Sequence, residues 1–439
     1  MTTTVQPTDA STDLIATGPA PDPRELTRPS ERRTASTLGE GYVGARYLQL
    51  VLVLGALVAI GALTIDTYLP ALPSLTEDFR TTAPTAQLTI TGLMAGLGVG
   101  QLVVGPLSDA VGRRRPLITG LVAHGLMSVL CALAPTIELL IVARVLQGLA
   151  GAAVSVVAMA MVRDLFSGVR AARLLSRLTL VMGISPILAP TLGSALLRLT
   201  AWRGIFVFLA VVAALLTVLA VLALPETLPP ARRVPARLRS SLTSYARLFR
   251  DPTYLIMVVV AGLMFATVFG YIGGSSFVLQ EYFKLTPQQY GIAFGVTALG
   301  LIVATQINPA LVQRFTPVAV LRAGVLLGFV GAALMVVAAA TGFGGLIGFM
   351  APLWITIAGA GLTFPNAPAI ALTRHGESAG TAAALLGAAQ FMISGISAPL
   401  VGALADGTPV PMAAVMAGAS GLAVVLILAG RRLFADVEA

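Results

Sequence analysis

The sequence predicts an all-α integral membrane protein of twelve transmembrane helices, arranged as two pseudo-symmetric six-helix bundles with both termini cytoplasmic. Three observations predict it. Of 439 residues, 56% are hydrophobic and only 11% charged, whereas soluble domains carry about 25% charged residues. Apolar runs long enough to cross a hydrocarbon layer of roughly 30 Å recur along the chain. The arginines fall in alternate connections between those runs, the mark of cytoplasmic loops.

Residues 1–46 are rich in Thr, Pro, Ser and Ala with scattered arginines, and read as a disordered cytoplasmic arm. A first apolar run lying behind such an arm is its own insertion signal, not a cleavable leader. Spans are expected near 48–73, 85–108, 116–135, 137–163, 174–197 and 204–224 in an N-terminal bundle (47–224). The basic, proline-rich stretch 225–250 is the cytoplasmic linker. Spans near 253–276, 288–312, 318–340, 343–366, 378–404 and 410–430 follow in a C-terminal bundle (251–431), with 432–439 as a cytoplasmic tail. Cytoplasmic connections then hold Arg113 to Arg115, Arg163, Arg170, Arg173, Arg177, the linker arginines, Arg314, Arg322 and Arg374. The outer connections keep only Arg80, Arg198, Arg203 and Lys284 as basic residues. The segment GPLSDAVGRRRP (105–116) is echoed by NPALVQRFTP (308–317), each after the second span of its half. With the six-and-six division this suggests duplicated halves, the architecture of alternating-access carriers.

The net charge of +9 sits in these loops, so it orients the chain in a membrane and does not point to nucleic acid. The single cysteine, Cys131, excludes an internal disulfide and reads as a small buried hydrophobe. No zinc spacing, phosphate loop or nucleophile triad stands in a credible context. No enzyme, cofactor or metal is therefore expected; the lipid bilayer is the expected surroundings and a monomer the expected state.

Asp66 lies inside the first span, followed by Tyr68, Pro70 and Pro73. An aspartate there costs roughly 2.5–3.5 kcal/mol on insertion, and is kept where it pairs, protonates or serves a transported ion. Arg144 is the basic residue within span four. Counted from Pro73 and Ile137, both charges stand about 10 Å below the outer surface, which predicts that they face each other and exchange partners as Asp66 gains and loses a proton. A local cap for the proline kink at Asp66 and a static lock at Arg144 remain the alternatives. His124 in span three reads as a packing residue, or else a proton relay. The ladder Gly92, Gly96 and Gly100 reads as a helix contact.

Three segments carry a resemblance. The loop after span two holds Gly105, Asp109, Gly112 and Arg113; span four holds Arg144, Gln147 and Gly148 in RVLQG; span five holds Gly183, Pro186, Pro190 and Gly193 around SPILAPTLG. In order and position these resemble the gating, proton-linked and antiporter motifs of major facilitator superfamily drug:proton antiporters. IDTYLPALP (65–73), AMVRDLF (160–166), WRGIF (202–206), LPETL (224–228), SSFVLQ (275–280), FPNAPAIAL (364–372) and GTAAALLGAAQF (380–391) narrow it to the bicyclomycin and chloramphenicol resistance (Bcr/CflA) subfamily. The resemblance covers residues 48–430 and implies the major facilitator fold in a bacterial cytoplasmic membrane, and efflux of an amphipathic drug or antibiotic in exchange for protons. Some relatives carry a second acidic residue two turns before the aspartate; Val58 stands there, which points to neutral, amphenicol- or bicyclomycin-like cargo.

Within that frame Asp66 and Arg144 are the proton-coupling pair. Asp109 is expected to meet the positive end of span eleven around Ser378 to Gly380, and Arg113 to reach Asp164, both only in the outward-facing state. Orientation by positive charge alone is the simpler alternative. Tyr68, Gln147, Phe265, Phe269, Tyr271, Phe277, Gln280, Asn366, Gln390 and Phe391 are candidate cargo contacts, since an apolar pocket with a few polar groups suits amphipathic ligands. The same fold would serve a proton-coupled uptake symporter for a small metabolite, and a non-transporting membrane enzyme or receptor is a third reading. The Gly/Pro pattern of span five favours export by resemblance, and the lack of a catalytic set weighs against the third.

Overall fold

Long apolar stretches with few breakers leave the backbone one way to satisfy its polar groups in hydrocarbon, the helix. The computed structural model is accordingly all-helical, and describes residues 1–2, 44–166, 168–233, 245–373, 375 and 379–433. Most of the N-terminal arm, the middle of the basic connection, Arg374, Ser378 and the end of the tail lie outside these residues.

The helices are α1 (Gly44–Asp66), α2 (Leu72–Asp78), α3 (Ala83–Val111), α4 (Arg114–Leu133), α5 (Ile137–Leu165), α6 (Gly168–Leu196) and α7 (Trp202–Ala223). After the connection come α8 (Pro252–Ser276), α9 (Pro287–Val312), α10 (Pro317–Thr341), α11 (Gly345–Thr373), α12 (Ala379–Gly395), α13 (Ser397–Ala403) and α14 (Val410–Ala429). Among the described residues eleven spans are long and apolar enough to cross a membrane, with α1–α2 and α12–α13 each forming one; α6, apolar over Ile184–Leu196, packs against α1 and α9 as a twelfth long helix. Caps explain several starts: Asp251, Thr286 and Thr316 each accept backbone N–H bonds at the first turn of α8, α9 and α10.

Helices α1 to α7 pack among themselves, as do α8 to α14, and the two sets meet where α3 lies on α12 and α13 and where α6 lies on α9. Each set is tightened by the same device. A Cβ on Gly148 of α5 would stand 2.1 Å from Leu93 O of α3, and one on Gly361 of α11 would stand 2.6 Å from Leu301 O of α9. These are equivalent second-on-fourth crossings, and only glycine lets the backbones approach so closely. The outer rim is apolar, with Leu126, Leu215, Leu222, Val337 and Leu428 exposed, as a lipid-facing belt requires.

The first span does not run straight, as a single 48–73 stretch would. It breaks at Asp66, passes through a 3₁₀ turn at Leu69–Ala71 and resumes as α2, because Pro70 and Pro73 lack the N–H donors a continuous helix needs. The eighth helix ends in a π turn at Phe277–Tyr282, and the eleventh span breaks at Ile396. All three irregularities lie towards the same, arginine-poor end.

A candidate proton and cargo site between the two bundles

Asp66 is the last residue of α1 and only 4% exposed. Its Oδ1 has no hydrogen-bond partner. Beside it α6 closes in at the residue read as part of the antiporter motif: a Cβ on Gly193 would stand 2.0 Å from Thr67 O. Pro186 and Pro190 lie within α6, as does Gly183. Pro190 has no N–H to donate to Pro186 O, and Ser194 Oγ donates to Pro190 O one turn on.

The expected Asp66–Arg144 contact is not formed. Arg144 is fully buried, and its Nη1 donates to Thr64 O (3.2 Å) and Gln147 Oε1 (2.7 Å). Its guanidinium lies 4.8 Å from the Tyr68 ring centre and 5.6 Å from that of Phe206, and Nε and Nη2 have no partner. Residues two apart on a helix point about 200° apart. Thr64 therefore faces α4 and α5 while Asp66 faces away from them. Equal depth fixed the height of the two charges but not their direction.

Thr64 also anchors a polar ring inside the N-terminal bundle. Its Oγ1 lies 3.0 Å from His124 Nε2. Ser128 Oγ donates to His124 O (2.7 Å), Gln147 Nε2 donates to Ser128 Oγ (2.8 Å), and Gln147 carries the ring on to Arg144. His124 Nδ1 is left without a partner.

Among the described residues six side-chain hydrogen bonds tie the bundles together towards the arginine-poor end: Gln87 to Gly273 O, Thr91 to Gly395 O, Ser194 to Pro287 O, Ser276 to Leu69 O, Gln280 to Pro70 O and Gln288 to Ser194 O. Each joins a neutral side chain to a backbone carbonyl. Helices α3 and α12 stay close as far as Gln101 and Gly387. Beyond them a Cβ on Gly105 or Gly380 would meet nothing within 4 Å. The interface is sealed at one end and, at Gly105 and Gly380, open towards the other.

This geometry sorts the cargo candidates. Phe265 gathers Phe269, Phe364 and Phe391 at ring-centre distances of 5.1, 5.3 and 5.5 Å. Phe391 approaches α3 at Gly98, so this apolar wall reaches the bundle interface. Gln390 beside it is half-buried. Asn366 donates to Asn308 Oδ1 at 2.6 Å, a pairing that could not be read from either residue alone. The rest lie elsewhere. Tyr68 and Gln147 turn into the N-terminal bundle, Tyr68 bonding Thr89 at 3.0 Å. Gln280 belongs to the seal, and Phe277 lines a 350 Å³ cavity above it with Gln87, Glu281 and Met412. Tyr271 is buried against Phe294.

At the arginine-rich end, Arg113 Nε binds Asp164 Oδ2 (2.9 Å), and Arg113 Nη1 binds Asp109 Oδ1 and Ser108 Oγ (both 2.6 Å). Asp109 pairs within its own loop, and Ser378, at the start of the stretch it was expected to meet, lies outside the described residues. The Arg113–Asp164 bond joins elements of one bundle and forms with this end open, so it does not depend on closure.

Sequence reasoning passed over Glu226, in the LPETL segment. It caps α4 from 113 positions away: Arg113 N donates to its Oε1 at 2.8 Å and Arg114 N to its Oε2 at 3.3 Å. Gly112, at φ +97°, leaves the room; a Cβ there would stand 2.5 Å from Glu226 Oε2. Thr227 Oγ1 donates to Asp164 Oδ2 (3.0 Å), fastening the same corner. Glu226→Ala should cost about 1–2 kcal/mol, as loss of a helix cap does, read as a lower Tm in detergent. Glu226→Gln, which keeps an acceptor, should cost less; equal Tm for all three proteins would show that the cap carries no load.

Two helix bundles sealed at one end over a buried acid, and parted at the other, define a membrane carrier. The chain belongs to the Major Facilitator Superfamily, whose family model matches residues 52–399. It is 34% identical to an uncharacterized MFS-type transporter, YdgK, of Bacillus subtilis, over 85% of this chain and 93% of that one. It is 27% identical to a bicyclomycin resistance protein homolog of Haemophilus influenzae (82% and 91% covered) and 28% identical to a chloramphenicol resistance protein of Pseudomonas aeruginosa (81% and 83% covered). A bacterial homolog of the lysosomal transporter Spinster, solved in an inward-facing and occupied conformation, shares the fold with a TM-score of 0.70 over 91% of this chain and 99% of that one, at 14% identity. The protein is a multi-pass transporter of the bacterial cytoplasmic membrane.

Proposed function

We propose that this transporter exports small neutral amphipathic drugs, of the amphenicol or bicyclomycin kind, in exchange for protons. The observation that carries the reading is Asp66: a buried carboxyl with an unpartnered oxygen, at a helix break beneath the seal between the bundles. Such a group is expensive in a membrane unless it takes up and releases a proton as its surroundings change. The names of the relatives support drug cargo, and Val58, in place of a second acid, supports neutral cargo.

In this reading the arginine-rich end faces the cytoplasm, and the structure represents the state open to it. Cargo enters against the Phe265, Phe364 and Phe391 wall. Asp66 gives its proton to the cytoplasmic side, the seal opens and the other end closes, and cargo leaves outward. A proton from outside then recharges Asp66 and returns the carrier. The two bundles with their linker act as the moving units, and the gate loop at Asp109 and Arg113 is a latch that completes itself on α12 only when the bundles close.

Inside-out vesicles test this directly. An interior-acid pH gradient should drive uptake of radiolabelled chloramphenicol several-fold above empty-vector vesicles, and a protonophore should collapse it. Uptake indifferent to the gradient would sink proton exchange; no uptake of either chloramphenicol or bicyclomycin would sink the cargo class.

A further inference from the structure

Across the interface from Asp66 stand two buried phenols. Tyr271 of α8 is 2% exposed, its ring stacked on Phe294 at 5.0 Å and 22°; its Oη, near the Thr297 hydroxyl, makes no well-formed hydrogen bond, and neither does Asp66 Oδ1. Tyr290 of α9 is fully buried, with Oη 3.1 Å from Ser275 Oγ. The adjacent Ser276 donates to Leu69 O, three residues beyond Asp66, as part of the seal. Both helices pack against the 3₁₀ turn at Leu69–Ala71 that follows Asp66. Other ionisable groups nearby are engaged elsewhere or stand outside: Arg144 of α5 and His124 of α4 bond to the Thr64 ring, α6 presents Gly193, and Glu77 and Glu281 are exposed beyond the seal.

An ionised carboxylate only accepts hydrogen bonds, and a phenol readily donates one. A buried donor and a buried acceptor, each lacking a well-formed hydrogen bond and on opposite sides of one interface, are each other's natural complement. We propose that Tyr271 and Tyr290 are coupling residues: when Asp66 loses its proton their hydroxyls donate to its carboxylate and hold the sealed end shut until cargo binds. The inference rests on the proton-exchange reading above and adds to it how slip is prevented. An empty carrier with ionised Asp66 that reopened outward would pick up a proton and return, letting protons in without moving any drug. The phenols bar that step, and cargo displaces them. A protonated Asp66 carries a donor of its own, loses part of the complementarity, and leaves the seal to the six neutral bonds that any protonation state can form.

The test is drug-free proton flux into proteoliposomes carrying a pH-sensitive dye. Tyr271→Phe together with Tyr290→Phe should raise that flux several-fold while keeping both rings. Tyr254→Phe, which removes an equally buried hydroxyl bonded to Ala382 O within the C-terminal bundle, should leave it at the wild-type level. In the Asp66→Asn background the two tyrosine changes should add nothing. Folded phenylalanine variants that leak no more than wild type, or a leak that persists without Asp66, would overturn the proposal. Wild-type protein that moves no chloramphenicol against the same gradient would instead overturn the proposed exchange, so the two failures are told apart.

Discussion

Asp66→Asn is expected to bring pH-driven chloramphenicol uptake down to the empty-vector level, while folded yield and Tm stay at or above the wild-type values. The substitution keeps the shape of the side chain and removes only its capacity to ionise. Among the described residues no cation is paired with it, and Oδ1 has no partner. Desolvating an unpaired charge costs more than desolvating a neutral amide, so stability should not suffer. Transport should, because Asp66 is the one carboxylate buried among the described residues. Asp66→Glu separates charge from placement: it titrates but reaches farther into the space held by Gly193 and Thr67, and should keep a fraction of the activity. Vesicle uptake with the pH gradient imposed and then dissipated measures all three proteins. An asparagine variant as active as wild type would move the proton site away from Asp66 altogether.

The spans were legible because apolar runs and arginine-bearing connections are properties of single segments. The break after Asp66 was foreshadowed by Pro70 and Pro73, whose missing donors act locally. The direction of Asp66 was not legible, because depth follows from counting along a helix whereas azimuth depends on where α4, α5 and α8 come to lie. Thr64, two positions earlier, takes the contact with Arg144 that was assigned to Asp66. The seal was hidden for a different reason. Its acceptors are main-chain carbonyls of Leu69, Pro70, Gly273 and Pro287, and a carbonyl leaves no mark on a sequence. Glu226 stood inside a quoted motif, yet its role as cap of α4 depends on a contact between distant segments. The candidate cargo residues divided by neighbourhood: aromatic residues spaced along α8 and α12 met, whereas Tyr68 was drawn under Arg144 by its own bundle.

Arg144→Met should abolish transport without lowering Tm. The guanidinium is fully buried, with Nε and Nη2 unbonded and no carboxylate within ion-pair distance. Removing a buried charge from water costs several kcal/mol per ion, and replacing buried ionic groups by apolar ones of similar volume is often neutral or stabilising by about 1–4 kcal/mol. Against that gain stands Gln147 Oε1, which would lose its 2.7 Å donor; an orphaned buried acceptor costs about 1–3 kcal/mol. The two terms are of similar size, so Tm should stay level or rise, and the double change Arg144→Met with Gln147→Leu should raise it further. A group retained at such expense needs a use in another state. Met supplies no cation for such a use, and Lys lacks the planar fork that reaches Thr64 O and Gln147 together. Arg144→Lys should therefore transport at least ten-fold slower than wild type. Thermal melts in detergent paired with vesicle uptake decide it: a methionine variant that melts several degrees lower would make Arg144 a structural strut, and one that still exports drug would remove it from the cycle.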